Sequence, residues 1–355
     1  MLHIIEYLNE YEERLVSPLW GGKKVFNFLC LGHLEISEAL GFETYQATPV
    51  LRLVKENKII TEDDLNNWIY THKFDYSIFD REIEKLNNMK ENVDGLYGGG
   101  CFGPLTIVSG IVGVERMLKL TVKKPQLIKK FVEYVTSYLL ELAELEENEG
   151  AQFFWIAEPL AALLSPKKFW EFSGIYLEKI YNSVKIPGFL HVCGETLYHT
   201  EYMVKTGAEV LSIDYLTDIG KCLRMVDVNT VIMGNISPAL LKENDVNEVV
   251  AEINRVNEEC KNYKNFVMST GCSVMNGTPE ENMHELFQTT KQYPIWSNEE
   301  YRLIRKFINL LKSTPSDKFD EYIQNQKMNI ELINAAKTEY ELIYNLRLNL
   351  RQKKN

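Results

Sequence analysis

The run FLHVCGET (189–196) carries an imidazole and a thiol two residues apart, His191 and Cys193, where an apolar stretch breaks off at a glycine. Side chains two apart on a strand share a face, so both project to one side of that strand's end. Cys272 closes a second β-rich run, NFVMSTGC (265–272). Strands distant in sequence converge at the C-terminal face of an α/β barrel, where the chemistry of such folds sits. Separation along the chain therefore does not keep Cys272 from the pair. One imidazole and two thiolates suit Zn²⁺, and three protein ligands leave a fourth tetrahedral position for water or substrate. The plain alternative is structural. Cysteine is among the most buried residue types, and the same three residues also suit apolar strand ends.

Holding those side chains together requires an alternation of strands and helices, and the sequence provides one. Strands are expected at 24–31, 95–101, 151–159, 186–193, 209–214, 230–236 and 265–272, with YPIW (293–296) as an eighth candidate. Between them, 125–150 repeats apolar residues at three- and four-residue steps and stops at a glycine. Ser165 and Pro166 open a second helix over 165–184, and 247–263 is a third. Such alternation implies parallel strands with right-handed crossovers. The expected fold is α/β, a (β/α)₈ barrel over 1–315 with an N-terminal helical lead-in. The segment 316–355 reads as a C-terminal helical extension, either closing the bottom of the barrel or serving as a homodimer or partner-docking helix.

The bulk properties narrow the function classes. The 355 residues carry a net charge of −11, spread along the chain, which gives no electrostatic footprint for nucleic acid. The six cysteines are scattered, with no secretory leader pattern in MLHIIEYLNEYEERL, so reduced thiols and a cytoplasmic location are expected. No apolar run approaches the roughly 20 residues of a membrane span. Gly98 to Gly100 are not followed by lysine or a G-x-G-x-x-G pattern, so close backbone approach is expected there rather than phosphate binding.

A set of motifs follows in fixed order: GPLT (103–106), GVERML (113–118), AEPLAALLSPKKFWEF, LHVCGET, GAEVLSIDY, VIMGNISP and STGCSVMNGTPEEN. Over about 100–290 the chain resembles the uroporphyrinogen decarboxylase superfamily, and within it the zinc-dependent corrinoid methyltransferase branch. The resemblance implies a (β/α)₈ barrel with Zn²⁺ on His191, Cys193 and Cys272. It implies methyl transfer between a corrinoid and a thiol or thioether, in anaerobic one-carbon metabolism. The first 50 residues offer only Arg14, Lys23 and Lys24 as cations, a poor host for the many carboxylates of a decarboxylase substrate. No D-x-H-x-x-G run is present to hold a corrinoid, so the cobalamin is expected on a partner corrinoid protein docking over the barrel mouth. No sulfonate-binding arginine is identifiable either, which counts against coenzyme M as the thiol.

Supporting residues are placed by strand ends. Glu158 in IAEP is a candidate catalytic residue, as a labile fourth ligand or an outer acceptor, with helix capping as its structural reading. Asp214 in SIDY is expected to hydrogen-bond the His191 imidazole and fix its tautomer. Asn235, His33 and Cys101 are candidate cofactor- or substrate-pocket residues, whereas Glu195 is expected to face solvent or a helix N-terminus. Two further readings stay open. One is demethylation of a methyl ether or similar small molecule onto Co(I), with Glu158 as the acid. The other is a non-catalytic corrinoid-protein partner with a structural zinc.

Overall fold

The computed structural model describes residues 26–290 except 49–50, 56, 58, 60, 93–95, 228, 261–262 and 264. The eighth strand expected at 293–296, the N-terminal helix and the 316–355 extension lie outside the described residues. Seven parallel strands run through the described part: β1 (Phe26–Phe28), then, after a hairpin of β2 (Thr44–Thr48) and β3 (Leu51–Val54), β4 (Leu96–Phe102), β5 (Phe154–Ala157), β6 (Gly188–Val192), β7 (Val210–Ile213), β8 (Val231–Ile236) and β9 (Phe266–Thr270). Each strand of the seven pairs with its predecessor in the order β1-β4-β5-β6-β7-β8-β9. This is the winding of a (β/α)₈ barrel, in which successive right-handed crossovers carry the sheet round a closed axis.

Period-two alternation sorts the strand residues into two layers. Phe153, Phe189, Val210, Val231, Met233 and Val267 form an inner cluster, with Phe28 and Trp155 packed against it. The alternate residues Ile156, Leu190, Val192, Leu211, Ile213 and Ile232 join the larger cluster beneath the helices. The long helix Pro125–Asn148 supplies that layer with Leu127, Ile128, Phe131, Val132, Val135, Leu139 and Leu142 on one face. Pro125 sits at its first position, where no backbone donor is missed. Burial of side chains this size is worth about 1.5–3 kcal/mol each before chain entropy is counted.

Two expectations are corrected. The N-terminal lead-in is expected to be helical after the strand at 24–31, yet Thr44–Thr48 and Leu51–Val54 pair as an antiparallel hairpin with Tyr45 opposite Leu53. The helix expected over 165–184 is interrupted by a π turn, Trp170–Gly174, between Pro166–Phe169 and Ile175–Ser183.

Candidate metal centre

His191 is the fourth residue of β6, on the inner face with Phe189, and Cys193 follows just past the strand. Gly194 then takes a left-handed φ of 88°, a conformation that glycine adopts without penalty and that turns the chain off the barrel axis. Gly271 solves the approach from the other side. A Cβ at this residue would lie 2.3 Å from the Tyr215 backbone nitrogen, so only glycine lets the β9 end come this close to the β7 loop. Cys272, the next residue, thereby reaches the pair. The Cys193 and Cys272 sulfurs stand 3.8 Å apart, and His191 Nε2 is 3.1 Å from Cys193 Sγ. Asp214 joins them: one donor atom from each of His191, Cys193, Cys272 and Asp214 lies within 4.8 Å of all the others.

The imidazole is oriented by Ser212, its register partner on β7. His191 Nδ1 lies 3.2 Å from the Ser212 carbonyl and 3.1 Å from its hydroxyl. A carbonyl only accepts, so Nδ1 carries the hydrogen and Nε2 presents its lone pair to the cluster. The expectation that Asp214 fixes this tautomer is corrected: Ser212 does so, because it lies level with His191. Asp214 lies two residues further along, and its carboxylate accepts the Leu216 backbone N–H at 2.9 Å.

Electrostatics set the two thiols apart. Hydrogen bonds from Cys193 and His191 hold the Cys272 thiol well below its ordinary range. Cys193, already bonded to Cys272 and partly buried, is pushed up because it would ionise beside an existing thiolate. A cation between the sulfurs removes that conflict, and the donor set of two sulfurs, one imidazole nitrogen and a carboxylate is one that zinc accepts.

The remaining candidates are placed as follows. Ala157, not Glu158, is in register with His191, so Glu158 points the opposite way, into the helical layer. There it accepts Leu105 N–H at 3.2 Å, Thr106 N–H at 2.7 Å, the Thr106 hydroxyl, and the Ser173 hydroxyl at 3.0 Å. The capping reading of Glu158 therefore describes its contacts. Burial, opposed by these donors, raises its carboxyl to about 7. Cys101 is likewise turned outward and fully buried among the helix-facing apolar residues. Asn235 Nδ2 donates to the Asp214 carbonyl at 3.1 Å and the Thr217 carbonyl at 2.7 Å, bracing the loop that carries Asp214. His33 is half-buried and packs edge-on to Phe102 with ring centroids 5.5 Å apart, and burial lowers its pKa. Glu195 is exposed, its carboxylate accepting from Leu197 N–H. Two contributors were not anticipated. Ser212 is one; Thr217 is the other, its hydroxyl donating to the Gly194 carbonyl at 3.0 Å and accepting from Thr196 N–H at 2.8 Å. Thr217 thus ties the Cys193 loop to the Asp214 loop. Their only sequence signal was position near Asp214 on a strand end.

Comparison with known proteins places this geometry in context. The chain is 26% identical over 194 residues to the methylated-thiol–coenzyme M methyltransferase of Methanosarcina mazei, covering 54% of this chain and 52% of that protein. It is 28% identical over 217 residues to the methylcobamide:CoM methyltransferase MtaA of Methanosarcina barkeri, covering 59% of this chain and 63% of the relative. A uroporphyrinogen decarboxylase of Prochlorococcus marinus is 24% identical over 260 residues, covering 68% of this chain and 73% of that enzyme. The match thus spans about half the length of the first of these relatives. The solved structure of a methyltransferase from Methanosarcina mazei superposes with a TM-score of 0.62 at 23% identity, over 81% of this chain and 90% of that one, and shows the same fold. The family model for uroporphyrinogen decarboxylase (URO-D) matches residues 34–293, and the chain belongs to that family.

Proposed function

We propose that the chain is a zinc-dependent methyltransferase that exchanges a methyl group between a corrinoid carried by a partner protein and a thiol or thioether. The observation that carries this reading is the convergence of two thiols, one oriented imidazole and one carboxylate from strands β6, β7 and β9 within 4.8 Å. The two methyltransferase relatives, named for thiols and coenzyme M, support it. Bound on these residues, zinc supplies a Lewis acid that keeps an incoming thiol in its thiolate form at neutral pH.

The tasks of the side chains follow from their chemistry. Cys193 and Cys272 are soft, charge-donating ligands, which keeps a neighbouring sulfur nucleophilic where a carboxylate-rich set would favour activated water. His191, held through Ser212, contributes a neutral nitrogen. Asp214 is the donor suited to yield its place, because its oxygen is hard and the Leu216 N–H already offers the carboxylate a partner when it withdraws. Leu163, Tyr198, Tyr215, Leu216 and Met275 are exposed on the loops that follow β5, β6, β7 and β9. They lie on the cluster's own face of the barrel, which supports delivery of the corrinoid by a docking protein.

Demethylation of an ether would need an acid at the leaving oxygen. Glu158, the residue offered for it, is turned into the helical layer, so the thiol reading is favoured. The decarboxylase reading leaves the soft four-donor cluster without a task. The test is zinc-edge X-ray absorption on the zinc-loaded protein with and without propanethiol. Addition of the thiol should add a third sulfur near about 2.3 Å and remove one oxygen or nitrogen scatterer. An unchanged shell would mean a closed structural site.

A further inference from the structure

We infer that the small molecule meeting this centre is an uncharged thiol or methyl thioether with an apolar, flat body, and that anionic thiols are disfavoured. The inference rests on the methyltransferase reading above and adds the substrate class to it. Two independent features of the barrel interior carry it.

The first is an aromatic shelf beside the metal ligands. Phe102, Ala157, His191 and Ser212 are register partners across four adjacent strands and so form one row across the sheet, with the inward parity of His191. Ala157, between Phe102 and His191, is the smallest, and it puts only a methyl group at its place in that row. Trp155, two residues earlier on the same strand, shares the inner face. Its indole is stacked on Phe28, with centroids 4.5 Å apart and planes at 17°, and lies nearly parallel to the His191 ring at 6.3 Å and 22°. Phe153 and Phe189 beneath are fully buried, whereas Phe28 and Trp155 are only half-buried. A half-buried indole beside a candidate ligand histidine offers a planar or aliphatic group burial and ring contact at its remaining exposed surface.

The second feature is charge. The segments that leave the strand ends toward the helices, 29–33, 103–106, 158–164, 193–200, 214–218, 237–240 and 271–279, contain no lysine or arginine. In the insertion after β1, Arg52 and Lys55 are engaged by Glu38 and Glu43, and Arg116 donates to the Asn57 and Ile59 carbonyls. The cluster itself contributes Asp214 and two sulfurs. Against these segments, a sulfonate or carboxylate on the substrate would meet negative charge and aromatic carbon, with no lysine or arginine in them to offset its desolvation. A molecule whose only ionisable group is the sulfur avoids that cost, because the metal engages the sulfur.

The experiment titrates the full-length, cobalt(II)-substituted protein with benzyl mercaptan, 1-propanethiol and 2-mercaptoethanesulfonate, following the change in thiolate-to-cobalt absorption. Benzyl mercaptan should bind at least about tenfold more tightly than 2-mercaptoethanesulfonate, with propanethiol between them. Trp155→Ala should remove the advantage of benzyl mercaptan over propanethiol at unchanged metal content. Should that variant fail to fold, Ala157→Leu adds bulk between Phe102 and His191 and should penalise benzyl mercaptan more than propanethiol. Equal or tighter binding of 2-mercaptoethanesulfonate would overturn the substrate class while leaving the methyltransferase reading standing. Failure of every thiol to perturb the cobalt spectrum would overturn both.

Discussion

At the scale of single residues, the site turns on which nitrogen of His191 is free. The Ser212 carbonyl demands a hydrogen on Nδ1, and the Ser212 hydroxyl adds a second contact. Removing only the hydroxyl keeps the tautomer but loosens the ring. Ser212→Ala should therefore weaken metal affinity by about tenfold, the lower end of what outer-shell changes cost. Competition against a chromophoric chelator would measure this, and an affinity equal to wild type would assign the orientation to the carbonyl alone. Cys272→Ser removes a ligand outright, and its loss of affinity should exceed that of Ser212→Ala. His191, Cys193 and Cys272 were legible in the sequence because imidazole and thiolate chemistry is written in residue type. Ser212 was not, since a serine announces itself only through register. Whether Glu158 faces the cluster or caps a helix stayed open in the sequence for the same reason. The last residue of a strand faces in or out by a parity of one, and the sequence does not fix where that strand ends.

At the scale of elements, Glu158 is a structural joint. Its carboxylate accepts from the first turn of the helix Pro104–Val112 and from the π turn, while its own N–H donates to the His191 carbonyl at 2.8 Å. Glu158→Ala strands two buried backbone donors and should destabilise the fold by about 3 kcal/mol in urea denaturation. The pH dependence has a definite sign. With its carboxyl raised to about 7 by burial, the folded state holds a proton that the unfolded state releases near 4.5. The stability gained from that raised pKa is complete below about 4.5 and lost as pH rises through about 7. Glu158→Gln cannot titrate. The stability of wild type relative to Glu158→Gln should therefore fall between those limits, and a difference flat in pH would refute the raised pKa. Helix 125–148 and the parallel strands were legible from periodicity, because burial of one face selects it. The hairpin at Thr44–Val54 was not, since its strands are short, exposed and paired only with each other.

At the scale of the whole molecule, the proposed metal centre would draw its ligands from β6 and from the chain just past β6, β7 and β9, so a bound ion would close a loop of 79 residues between the two cysteines. The unfolded chain holds no such arrangement, and binding energy becomes folding energy. At a free metal concentration about 100 times the dissociation constant, the gain is about 2.7 kcal/mol. For a chain of this size that corresponds to a rise in Tm on the order of 5 °C. Stripping the protein with a chelator should lower Tm by that amount, and adding zinc should restore it. The Cys272→Ser variant should show a much smaller zinc-dependent shift, because the β9 end no longer contributes a sulfur. The control separates this from simple loss of packing: Cys272 is half-buried, so the metal-free variant and metal-free wild type should melt within about 1 °C of each other. A metal-free Cys272→Ser protein that melted far below metal-free wild type would mean that the thiol serves the fold rather than the ion. The assembly of the centre from three separate strands would then have no energetic signature.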